Sequence, residues 1–137
     1  TAGAHTCFVP PEHTAVAREA RGQERLLAVE QMVVFDEDPE TARATARTHM
    51  SIYLGLPNYT NNLKRLGFTE AEITNDGGSD RLVDAIVVWG DEAAVLSRLQ
   101  AHRDAGADHL CVQVLEPDPM AVPIEGWARL ADALDLR

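Results

Sequence analysis

The chain is short of positive charge. Its 137 residues hold 12 Lys and Arg against 22 Asp and Glu, a formal net charge of −10. An acidic chain repels nucleic acid and anionic lipid, and no cluster of Lys or Arg offsets the deficit, so no nucleic-acid partner is expected. Long hydrophobic runs are missing too. No stretch approaches the roughly 20 apolar residues of a membrane span, and no membrane partner is expected. The opening TAGAHTCFVPP has no basic start, no long apolar core and no initiator Met, so no secretory signal is read there. Cysteine is scarce, with only Cys7 and Cys111, both in strand-like apolar runs. Reduced, buried thiols are expected rather than a disulfide, and the cytoplasm is the expected compartment.

Catalytic signatures are equally thin. None of the 5 histidines stands at a zinc spacing backed by cysteine or a third histidine, so no metal is expected. There is no Ser-His-Asp order, nucleophile elbow or paired-carboxylate spacing. GGSD at 77–80 is neither a Walker loop nor a GxGxxG fingerprint. No internal repeat or low-complexity stretch divides the chain. With 45% hydrophobic and 25% charged residues it reads as one globular domain, residues 1–137, with a real core.

What is present is an alternation of strand and helix signals. AHTCFV at 4–9 reads as a strand that Pro10-Pro11 stops, and PEHTAVAREARG as a helix ending at Gly22. RLLAVEQMVVF at 25–35 is a second strand, interrupted by Glu30 and Gln31. Asp38, Pro39 and Glu40 open a helix with Ala42, Ala46, Met50 and Tyr53 or Leu54 at helical spacing. YTNNLKRLGF is a further helix, and TEAEITNDGGSD a polar loop. Ser79 or Asp80 caps the next helix over Leu82, Val83, Ile86 and Val87, with Val87–Trp89 as an alternative short strand. Asp91 caps a helix that Gly106 stops. HLCVQVL follows as an almost wholly apolar strand, expected to be buried on both faces, and EGWARLADALDLR is a terminal helix. Strands separated by helices imply an α/β fold with parallel pairing through right-handed crossovers. Three such strands fall short of a closed eight-stranded barrel, which needs roughly 250 residues.

Four segments carry a family resemblance: GAHTCFVPPEHTAVARE, LLAVEQMVVFDEDPETARATARTHMSIYLGLPNYTNNLKRLGF, GGSDRLVDAIVVWGDEAAV and HRDAGADHLCVQVLEP. In this order they resemble the luciferase-like oxidoreductases (the flavin-dependent monooxygenase family), and within them the branch that uses coenzyme F-420, a deazaflavin. YLGLPNYTNNLKRLGF followed by GSDRLVDAIVVWGD is the most specific part. Such proteins are TIM (β/α)8 barrels of about twice this length. The resemblance implies strands six, seven and eight of such a barrel, its C-terminal half. It also implies hydride transfer between coenzyme F-420, or alternatively FMN, and a small-molecule substrate, with the redox chemistry held by the cofactor. The N-terminal strands that build much of the family's cofactor pocket are not in this sequence. A non-catalytic half barrel that pairs with another copy through its sheet edges, a homo-oligomer, is the second expectation.

Barrel sites lie at the C-terminal ends of strands. That rule selects Thr6, Cys7, Val9 and Pro10 after the first strand, Phe35 and Asp36 after the second, and Gln113, Glu116 and Asp118 after the last. His5, Thr6, Arg81 and Gln113 are the candidates to hold the cofactor. His5 could bond a ring or substrate, or serve as a core or interface histidine. Arg81 beside Gly77-Gly78-Ser79 could hold an anion, where the family lays the cofactor's phosphate tail, or could sit on a capped surface helix. Gln113, alone among apolar neighbours, needs a partner that a ring edge or the protein could provide. The resemblance makes residues 53–81 a roof over the site, so Tyr53, Tyr59, Asn61 and Asn62, with Lys64, are candidates for a substrate wall. Packing tyrosines and solvated asparagines are the plainer account of them. Asp36, Glu37, Asp38 and Glu40 read as a solvated helix start.

Overall fold

The computed structural model describes residues 2–136. Its elements run β1 Gly3–Thr6, α1 Pro11–Arg21, β2 Leu26–Val34, α2 Pro39–Leu54, α3 Pro57–Arg65, α4 Glu70–Thr74, α5 Asp80–Ile86, β3 Val87–Trp89, α6 Glu92–Asp104, β4 His109–Val114 and α7 Ile124–Ala133. All strand pairings are parallel and all are made to β2. β4 lies along Ala28–Val33, which overlaps the registers of both other partners. A strand has two edges, so β1 and β3 must share the opposite one. β1 takes Leu26–Val29, and β3 takes Met32–Val34.

The pleat of β2 divides the molecule. Leu27, Val29 and Val33 turn toward α1, α6 and α7, where they pack with Ala17, Val95, Leu99 and Leu130. Met32 and Val34 turn the other way, into the core formed by Ala42, Ala46 and Met50 of α2, Leu63 of α3 and Leu82, Val83 and Ile86 of α5. By the same alternation and register, His5, Ala28, Glu30, His109, Cys111 and Gln113 share this inner face. The α2–α5 excursion covers only its C-terminal part, so His5, His109 and Gln113 are exposed and Glu30 and Cys111 half-buried.

The helix-side face is closed by polar clamps. His102 is fully buried, between Thr14 of α1 and Gln31 of β2, each 2.8 Å from a ring nitrogen. The Gln31 amide nitrogen donates to the carbonyls of Met32 and Ile86. Its oxygen therefore accepts from His102 Nε2–H, which leaves Nδ1 to accept from the Thr14 hydroxyl. The imidazole is neutral: burial first, then nearby Arg98, push its pKa down to about 4. At the opposite end of the strands, buried Arg18 donates to the carbonyls of Gly22, Arg25 and Gly106 and to Asp108. The same Asp108 oxygen accepts from Leu27 N–H. Gly106, at φ +104, leaves room for this arginine, since a Cβ there would stand 2.7 Å from Arg18 Cγ.

Several sequence expectations hold. Asp38, Ser79 and Asp91 cap α2, α5 and α6 through side-chain oxygens. Others are corrected. β1 ends at Thr6 rather than at 9, because Phe8 turns the chain away at φ +58. The polar loop contains α4, held by a reciprocal capping box between Thr69 and Glu72. The helix from Ser79 stops at Ile86, and Val87–Trp89 becomes a strand because Met32–Val34 offers a free edge there. β4 is not buried on both faces, and neither cysteine is fully buried; both are free thiols. The terminal helix stops at Ala133, and Thr1 and Arg137 lie outside the described residues. No helix is long and apolar enough to cross a membrane among the described residues.

Candidate functional site

Every parallel strand delivers its C-terminal end to the same side of the molecule. There the end of β1 meets the excursion. Phe8 stacks on Tyr53 with centroids 4.8 Å apart and planes 14° from parallel. Tyr59 meets both rings edge-on, at 5.7 and 5.0 Å. Its hydroxyl lies 3.5 Å from Cys7 Sγ. This aromatic wall packs into the core that buries Met32 and covers only that part of the inner face.

The titratable groups behind the wall are perturbed. The contact with Cys7, then burial, then the charges of Cys7, Tyr53 and Glu30 push the Tyr59 phenol up to about 12. Burial and the charge of Glu30 raise Tyr53. Burial raises the Glu30 carboxyl, with His5 acting against it. Glu30 Oε1 is buried and has no hydrogen-bond partner among the described residues. An unpaired buried acceptor is costly, and such groups concentrate where a ligand completes the site.

Beside the wall, along β1, lies an open cleft of about 360 Å³ whose lining includes His5, Thr6, Cys7, His13, Tyr59, Asn62 and Arg65. A second cleft of about 250 Å³ lies at the ends of β2 and β4, lined by Phe35, Asp36, Glu116 and Arg129 among others. Arg129 is committed there: it pairs with Glu92 at 2.7 Å and lies 4.5 Å over the Phe35 ring. Asp118 caps a turn at Met120 N–H, and His49 Nε2 donates to the Glu116 carbonyl.

The cleft by β1 therefore brings together His5, Thr6, Tyr59 and Asn62, with Tyr53 stacked beside them. Asn61 is exposed on α3 and does not line it. Gln113 stands apart, in a groove with His49 and Trp127 beside β4. Arg81 is elsewhere as well. It pairs with Glu72 at 2.6 Å and lies 4.5 Å over the Phe68 ring. The neighbouring N–H groups of Gly78, Ser79 and Leu82 donate to Asn75, Glu72 and Ser79. Sequence reasoning passed over Glu30, His13 and Arg65. Glu30 had a signal, since it shares the strand parity of Met32 and Val34. His13 and Arg65 had none, because α1 and α3 are far apart in sequence. Among the described residues no group of three or more His, Cys, Asp or Glu is placed to hold a metal ion.

In sequence the chain matches no family model and no curated protein. In structure it superposes on a coenzyme F-420-dependent tetrahydromethanopterin reductase from Methanopyrus kandleri, with TM-score 0.62 and 19% identity, over 96% of this chain and 43% of that one. The fold is that of the luciferase-like barrel enzymes. A second structure of this fold is an F-420-dependent secondary alcohol dehydrogenase in complex with an F-420–acetone adduct. It gives TM-score 0.55 and 11% identity, over 82% of this chain and 37% of that one. The chain thus spans less than half the length of either luciferase-like structure.

Proposed function

We propose that this chain forms strands six to eight, the C-terminal half, of a luciferase-like oxidoreductase that transfers hydride between coenzyme F-420 and a small organic substrate. The observation that carries the reading is the superposition on two F-420-dependent enzymes, reached at identities of 19% and 11%. The inner face fits a heteroaromatic ring. Glu30 offers an unpaired acceptor, Gln113 an exposed amide, and the Phe8–Tyr53–Tyr59 wall a dry boundary. The deazaflavin supplies the hydride chemistry; this chain's residues bind, orient and exclude water. Binding of coenzyme F-420 to the folded chain, followed by cofactor fluorescence with FMN in parallel, tests it. Saturable binding of F-420 and weaker binding of FMN is expected. A folded sample that binds neither contradicts the reading.

A second role is favoured by a separate observation. Among the described residues, the outer edges of β1 and β4 have no strand partner, and half-exposed Trp127 shares a groove with β4. Unpaired edges recruit strands. The chain is expected to sediment as a dimer or larger species, and a strict monomer at high concentration removes this role.

A further inference from the structure

Of the three buried polar atoms without a partner among the described residues, two lie on one cleft: Thr6 Oγ1 and His13 Nδ1. Native structures leave few such atoms unpaired, and two in residues of one cleft wall point to a missing partner there. The charge of the cleft says what kind. The chain carries a net charge of −10, yet no Asp or Glu lines this opening. His5, His13 and Arg65 do, together with the amides of Asn58 and Asn62. Arg65 is exposed and forms no ion pair among the described residues, although its neighbour Lys64 pairs with Glu70. Helix α1 starts at the cleft without a side-chain cap, so the positive end of its dipole adds to the same field.

We infer that the cleft between the end of β1 and α3 binds the carboxylate or phosphate group of the substrate. The Thr6 and His13 side chains turn to bring the buried Oγ1–H and Nδ1–H to the oxyanion, and Arg65 neutralises it. The substrate class is then an organic acid or a phosphate ester. Its role in hydride transfer rests on the reading above; the existence of the anion site does not.

Nuclear magnetic resonance of the ¹⁵N-labelled full chain tests the inference, with inorganic phosphate and with succinate as the two probes. His13 is the reporter. Burial lowers its pKa, so an anion at the cleft raises it. The groups around the reporter are His5, Cys7, Tyr59 and Arg65, with Glu12 on the adjoining cleft and Glu30 behind His5. Saturable shifts of the His13 ring by one probe or both are expected, and the stronger probe names the anion. Arg65→Gln, an exposed and conservative change, is expected to weaken binding about tenfold, the loss of one charge-assisted contact. Arg81→Gln is expected to leave it unchanged. No saturable shift with either probe, or equal affinity in Arg65→Gln, overturns the inference. Adding F-420 separates the two readings. If F-420 and the anion bind together, both stand. If the anion binds and F-420 does not, the cleft stands and the oxidoreductase reading falls. If F-420 displaces the anion competitively, the cleft belongs to the cofactor and the substrate assignment is overturned.

Discussion

The two faces of β2 treat buried polar groups in opposite ways. On the helix side, Gln31, His102, Thr14 and Arg18 are buried and each has its partners. On the inner face Glu30 leaves a buried oxygen unpaired among the described residues, and at the edge of β1 toward α1 Thr6 and His13 do the same with a buried polar atom each. The first arrangement fixes the relation of sheet to helices. The second leaves donors and acceptors free for a molecule not made by this part of the chain. Satisfied and unsatisfied polar groups thus stand side by side within a single strand, at Gln31 and Glu30.

The sharpest way to break the comparison is Arg18→Ala. It strips the arginine from three carbonyls and leaves Asp108 with only Leu27 N–H, and a loss of about 3 kcal/mol in urea unfolding is expected. A loss below about 1 kcal/mol means that the clamp is not what holds the strand ends.

His102 sharpens it through pH. Its folded pKa of about 4 lies below the ordinary 6.5, so the unfolded chain binds more protons between those values. Stability is complete above about pH 6.5 and falls as pH drops toward 4, by on the order of 3 kcal/mol. His102→Gln is expected to flatten that slope in denaturant midpoints measured across the window. An unchanged slope assigns the acid loss to other groups.

On the inner face the sign reverses. Burial raises the Glu30 carboxyl, so the folded state holds its proton more tightly. Stability from this group is present at low pH and is lost as pH rises through its elevated folded value. Glu30→Gln is therefore expected to unfold at higher temperature than the parent at pH 7, with the gain shrinking as pH falls through the raised folded value and gone below the ordinary 4.5. A destabilised Glu30→Gln at neutral pH shows that the carboxylate has a structural partner. The smallest effect belongs to Arg81→Ala. Its exposed pair with Glu72 is expected to contribute less than about 1 kcal/mol, visible only at low salt.

Local chemistry was legible in the sequence. Asp38, Ser79 and Asp91 each place an oxygen next to the N–H groups of the helix they open, a relation spanning three residues. Thr69 and Glu72 had the same grammar, but the polar, glycine-bearing stretch around them read as a loop. Val87–Trp89 was undecided because its helical stripe runs straight on from α5; only the edge of Met32–Val34 makes it a strand. The exposure of Gln113 was unreadable, since an apolar run does not report which faces its neighbours cover. The strand-end rule found Thr6, Cys7 and Val9 for the cleft, and the resemblance added Tyr59 and Asn62. Both missed Arg65 and His13, which reach the same opening from two helices joined by no pattern in the sequence.

In the proposed function the inner face of this sheet receives coenzyme F-420. Mapping the resonances of the labelled, folded chain as F-420 is added tests it most directly. Saturable changes are expected at the Gln113 side-chain amide and at Glu30, with the ring signals of His102 unmoved on the other face. Changes confined to the helix side, or none at saturating cofactor, would contradict it.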